Sequence, residues 1–320
     1  MGDGVSKSTD IGLIRGERTV LFLLVAFFFL AALPDLSTEV RYHGDERFYI
    51  DSAMRMVHTG DYMTPYYADG RPRFKKPILA YWVMVAAYHL MGISFLSSRL
   101  PFLLAGCGVI WVTWKMAREL FRTEATALTS ASLIASNIAV FIASVRSTPD
   151  ILSCLFVSLS FLGFLRLIFT GDRGAWSYAL AYGGAGFAVA TKGLVGIFPV
   201  LFAFLFCLLR RKSASATAHD LVQWPTMFVS ASIALFWFIL VYWRHGGGAL
   251  EVFFADQVED KVEPSTLQVL LNALFYLLTP VRHFFPWSAL LVLAFVLAGE
   301  ELWEVWRVHG KKLFFAIGSF

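Results

Sequence analysis

Apolar runs close to the length of a bilayer crossing recur along this chain, at about 19–36, 99–117, 124–143, 150–169, 175–190, 193–209 and 224–243. A helical crossing takes ~20 residues, and within hydrocarbon the backbone amides must be satisfied inside the segment itself. The runs are continuous rather than alternating, so they read as helices. With 58% hydrophobic and 16% charged residues and a mean hydropathy of +0.64, the sequence specifies an all-α polytopic membrane protein. Its 320 residues leave room for about eight to ten helices.

The order of crossings follows from the basic residues. Residues 1–18, with Lys7, Arg15 and Arg18, form a polar tail expected in the cytoplasm, and the run after it lacks a small-residue cleavage site, so it is a retained span. Ile78 to Met91 is apolar but short. If it does not cross, Lys115, Arg118, Arg122, Arg166, Arg173 and Arg210–Arg211–Lys212 all share the side of the tail; if it crosses, all lie opposite. The positive-inside rule selects the first arrangement, with 78–91 a juxtamembrane helix. The same parity places a first loop, 37–98, and a second, 244–284, on the outer face, together with Asp45, Glu46, Lys76, Asp150 and Lys192. Polar groups beside helix ends are costly unless used. Within the first loop, Phe48, Ile50, Ala53, Met54 and Val57 recur at helical spacing, Gly60-Asp61 ends that helix, and Asp69-Gly70 is a turn.

Beyond the second loop, Leu267 to Leu278 is expected at the interface and Phe285 to Ala298 as an inward span, followed by an amphipathic stretch with Trp303 and Trp306. A run starting at Leu313 is too short to cross before Phe320, so further C-terminal spans are expected to be missing. Cys107, Cys154 and Cys207 fall within apolar runs and read as small buried hydrophobes. The seven histidines form no ligand-spaced pair, and neither a Walker loop nor GxGxxG occurs, so neither a metal nor another cofactor is indicated. The small net charge of +4 lies in short clusters at span ends, which excludes nucleic acid as a partner.

Group transfer from a lipid phosphate would need a carboxylate to take the acceptor's proton and cations to receive the leaving phosphate. Asp45 is the candidate base, with Glu46 orienting it or raising its pKa through like-charge repulsion. Lys76 is the candidate phosphate ligand, with Arg73, Lys75 and Lys192 as alternatives; Lys192 could equally be a snorkelling anchor, and Asp150 a helix-terminal acid. A flippase-like lipid or glycan transporter and an inactive scaffold subunit are the competing classes.

The ordered set DERFYIDSAMRM, GDYMTPYYADGRPRFKKPILAYW, SSRLPFLLAG, RSTPDIL and TKGLVGIFP resembles the GT-C class of membrane glycosyltransferases over about 40–300. It is most similar to the 4-amino-4-deoxy-L-arabinose lipid A transferase group and its protein O-mannosyltransferase relatives. The resemblance implies a GT-C-like helical bundle that moves a hexosyl or pentosyl group from a polyprenyl-phosphate donor to a lipid, glycan or protein acceptor. It implies inversion, and a site on the periplasmic side of the cytoplasmic membrane, among membrane lipids. Asp45 matches the family's first-loop acid, Glu46 its neighbour, Tyr49 a substrate-side tyrosine and Asp150 the second acid. Lys76, Lys192 and, in the second loop, Lys261 match phosphate-contacting positions. Position 75 is Lys where arabinose transferases carry Glu, and 251–264 has no histidine, so that group's zinc site does not carry over. Family members are usually longer.

Overall fold

A computed structural model describes residues 3–38, 44–209, 217–257, 272–275, 278–279, 282 and 284–318. Among them the secondary structure is helical, with one isolated antiparallel bridge, Tyr66 to Pro72, closing the turn at Gly70. The elements are α1 (Asp3–Ala32), α2 (Gly44–Thr59), α3 (Leu79–Met91), α4 (Phe95–Phe121), α5 (Glu124–Ala135), α6 (Ile138–Ser144), α7 (Pro149–Leu165), α8 (Ala175–Tyr178), α9 (Gly184–Lys192), α10 (Phe198–Leu209), α11 (Trp224–His245), α12 (Gly247–Gln257) and α13 (Trp287–Gly318).

Five segments are long and apolar enough to cross a membrane, or up to six if α5 and α6 are one span bent by 62°. The expectation of an unbroken crossing at 124–143 is corrected here. Asn137 accepts from the amides of Ala139 and Val140, capping a new helix inside the apolar run. The 35-residue segment Ala175–Leu209 folds back on itself between α9 and α10. As a straight helix it would reach ~52 Å, well beyond the ~30 Å hydrocarbon core. Gly193, at φ +78°, reverses the chain, and a Cβ on Gly196 would lie 2.3 Å from the amide nitrogen of Val189, seven positions earlier. Ring contacts of Phe161 with Phe198 and of Phe169 with Phe206 run α10 alongside α7 in the same direction.

The core forms where α4 packs on α5 and α7, α7 on α9, and α9 on α11. Small residues allow the close approaches: a Cβ on Gly184 would lie 2.6 Å from the backbone nitrogen of Ser160. Helix α3 does not traverse the bundle. Its N-terminus follows Lys76, which interacts electrostatically with Asp150, and its end returns to the start of α4, where Tyr88 Oη meets Ser98 Oγ at 2.7 Å. α2 packs on α3 as the first loop's amphipathic helix, ending at Gly60 (φ +72°).

Two further expectations change. α13 is a single helix of 32 residues, joining the span at 285–298, the amphipathic stretch and the run expected to start afresh at Leu313; Phe315 is fully buried among Phe161, Phe169, Phe202 and Phe206. Glu300, Glu301 and Glu304 interrupt the apolar pattern, but Glu is a good helix former. Cys207 is buried, but Cys107 is half-buried and Cys154 exposed. Most of the stretch expected at the interface, 267–278, lies outside the described residues, as does Lys261.

Candidate active site

Two helices begin at one end of the bundle with a carboxylate in their first turn: Asp45 in α2 and Asp150 in α7. The partial positive charge of a helix N-terminus favours an anion there, and Pro149 at the first position of α7 loses no needed hydrogen bond. Asp45 and Asp150 line one cavity of about 530 Å³, walled by Ala139, Ile142 and Ala143 of α6 and its neighbours and by Arg146. The bend between α5 and α6 lets this wall form.

Lys192 ends α9, where a helix C-terminus favours a cation, and its Nζ lies 2.5 Å from Asp150 Oδ1. Lys76 is near enough to act on Asp150 and donates to Asp256 Oδ2 at 2.6 Å, with Lys75 at 3.5 Å from the other oxygen. The structure therefore gathers Asp45, Lys76, Asp150 and Lys192 at one end, from three helices and the chain leading into α3. Among the described residues, no three His, Cys, Asp or Glu side chains converge as a metal site would require.

Glu46 does not face this cavity with its carboxylate free. It is fully buried and takes a forked ion pair from Arg99, Nε to Oε1 at 2.7 Å and Nη2 to Oε2 at 2.9 Å. Ser147 N also donates to Oε1 at 2.9 Å. Arg99 Nη1 donates to the carbonyls of Asp35 (3.1 Å) and Thr38 (2.8 Å). One arginine thus ties together the end of the first span, α2, α4 and the strand of chain leading into α7. The Glu46 carboxylate is therefore a structural clamp, engaged by Arg99 and by the amide of Ser147.

Tyr49 and Arg73 also lie elsewhere than expected. Tyr49 is 4% exposed and Arg73 5%, and the guanidinium sits 4.7 Å from the Tyr49 ring and near those of Phe48 and Tyr67, while donating to the Tyr81 hydroxyl. Burial raises the Tyr49 phenol and pushes that of Tyr81 up to about 12, against the opposing influence of Arg73, so both rings stay neutral. This aromatic cage holds Arg73 inside the first loop. Sequence reading missed Arg99, whose partner is 53 positions away, and the role of Asp256 as counter-ion of Lys76.

Burial works to raise the Asp256 carboxyl, but the hydrogen bond and charge of Lys76, with Lys75, hold it below the usual carboxylate range. A depressed folded-state pKa contributes stability above the unfolded value, ~3.9, and that stability is lost as pH falls through the folded value. Acidification below about pH 4 is therefore expected to release α12 from Lys76. Hydrogen exchange of 247–257 measured across that range checks this; protection that is flat with pH would count against the bridge.

The sequence profile of the dolichyl-phosphate-mannose-protein mannosyltransferase family matches residues 75–243. The chain belongs to this family. Its relatives include an uncharacterized protein of Aquifex aeolicus, 30% identical over 217 residues covering 67% of this chain and 42% of the relative. The undecaprenyl phosphate-alpha-4-amino-4-deoxy-L-arabinose arabinosyl transferase of Pseudomonas aeruginosa is 26% identical over 292 residues, 89% of this chain and 51% of the relative. The solved structure of ArnT from Cupriavidus metallidurans bound to undecaprenyl phosphate superposes with a TM-score of 0.76 at 24% identity, over 93% of this chain and 53% of that one. That likeness gives the family member described here the GT-C membrane fold. The chain spans about half the length or less of these curated relatives. The matched region includes Lys76, Asp150 and Lys192 but begins after Asp45 and Glu46.

Proposed function

We propose that this family member transfers a sugar from a polyprenyl-phosphate donor to a lipid, glycan or protein acceptor at the extracytoplasmic face of the cytoplasmic membrane, with inversion at the anomeric carbon. The observation that carries this reading is the convergence on one bundle end of two helix-terminal carboxylates, Asp45 and Asp150, and two lysines, Lys76 and Lys192. Support for the donor class comes from the arabinosyl transferase relatives, whose names specify an undecaprenyl phosphate sugar.

In the proposed reaction the donor phosphate replaces carboxylate partners on Lys76 and Lys192. Their ammonium groups stabilise the negative charge that grows as the bond from the anomeric carbon to the phosphate oxygen breaks. An acceptor hydroxyl in the cavity attacks the opposite face of that carbon and gives its proton to Asp45. The new bond joins acceptor oxygen to sugar, and polyprenyl phosphate departs. Asp150 holds Lys192 in place between turnovers. The orientation rests on the basic residues Lys115, Arg118 and Arg166, which lie at the far end of α4 and α7.

Membranes carrying the full chain, supplied with a polyprenyl-phosphate sugar labelled in the sugar, are expected to release polyprenyl phosphate and pass label to an envelope acceptor. A chain that binds the donor and never releases polyprenyl phosphate, whatever acceptor fraction is added, would refute the reading.

A further inference from the structure

The bundle end away from Asp45 carries a second constructed groove, between α1 and α4, which pack on each other. Arg18, Phe22 and Val25 line it from α1, and Trp111, Lys115 and Arg118 from α4, around a cavity of about 480 Å³. The spacing on each helix is that of one face, and the helices run antiparallel. The three cations therefore meet at one end, and the apolar and aromatic residues continue toward the middle of the bundle.

Among the described residues, charge in the groove is not balanced. Arg166 takes both oxygens of Glu119, at 2.8 to 3.1 Å, so Lys115, 3.2 Å from the same carboxylate, shares a partner already engaged. Glu124 is held by Arg118 at 3.2 Å and by Trp114 Nε1 at 3.1 Å, with the Arg118 guanidinium stacked 5.1 Å from the Trp114 ring. Among the described residues Arg18 has no carboxylate partner. Among the described residues, the three cations of the groove and the neighbouring Arg166 thus face two carboxylates, Glu119 and Glu124. Orienting charges at a span end need no cavity, and a free phosphate needs no apolar wall. A phosphodiester at the interface with an acyl chain pointing to the bilayer centre fits both halves of this groove.

We propose that this groove binds one anionic bilayer phospholipid. The site lies at the opposite end from the donor lysines and stands whether or not the transfer reaction is correct.

The test uses the full chain in a non-ionic detergent, titrated with phosphatidylglycerol or phosphatidylcholine and read by native mass spectrometry. One phosphatidylglycerol per chain is expected to be retained in preference to phosphatidylcholine. Arg18→Gln with Lys115→Gln should lower that affinity roughly 30-fold. Arg173→Gln, a cation paired with Asp220 outside the groove, should leave it unchanged. Equal retention of the two lipids, wild-type affinity in the double variant, or an equal loss in Arg173→Gln would each overturn the proposal. So would displacement of the lipid by undecaprenyl phosphate, which would make the carrier lipid of the proposed reaction the occupant. Undecaprenyl phosphate binding that persists in the double variant keeps this site separate from the proposed donor site.

Discussion

Replacing Asp45 by Asn is expected to lower sugar transfer by roughly 10²–10⁴-fold, the range general-base removal typically costs. Donor affinity should stay close to that of the parent, since Lys76 and Lys192 belong to other elements. The substitution is nearly isosteric, and Asp45 is exposed at the start of α2. Among the described residues it has no ion pair to lose, so the amide removes charge and basicity without leaving a buried group unsatisfied. A glutamate at the same place keeps the basicity and shifts its position, and should fall between the two. Initial rates with a labelled donor, set beside separate measurement of donor binding, read the two quantities independently. Undiminished rates in Asp45→Asn would show that the proton goes elsewhere.

What sequence could and could not reveal follows from how far each determinant reaches. Helical runs, the stop at Gly60 and the turn at Gly70 are local, and they stand where periodicity and backbone preference put them. The short α3 could be kept from crossing because charge parity is a sum over the whole chain rather than a property of the segment. The break at Asn137 was hidden, since no proline or glycine marks it and one asparagine in an apolar run is easily carried by a helix. Its signal is that Asn is a strong cap when its own side chain finds the next amides. Tyr49 and Arg73 show a different limit. Their polarity and loop position are plain in the sequence, but which face of α2 meets α3 depends on packing, and that packing turns both inward. The pairing of Lys76 with Asp256, 180 positions apart, depends on α11 and α12 returning the chain to the same end.

Arg99→Met is expected to destabilise the protein by about 3–5 kcal/mol, because it leaves the Glu46 carboxylate buried without its partner. The side chains are 1% and 0% exposed, so water cannot replace the lost contact. Glu46→Gln should be costly too, leaving the guanidinium with an amide in place of a charge and weakening the bond from Ser147 N. Combining the two changes should recover part of the loss, because neither charge is then left alone; the recovery is the coupling between them. It should not be complete, since Arg99 also satisfies the carbonyls of Asp35 and Thr38. Thermal unfolding in detergent of the parent, both single variants and the double variant measures that coupling, and strictly additive losses would exclude a paired role. The clamp also fixes where α2 starts, and Asp45 is the next residue along from Glu46. In the folded fraction of Arg99→Met, transfer should therefore fall through kcat more than through donor KM, since the proposed base is displaced while the lysines proposed to hold the phosphate are not.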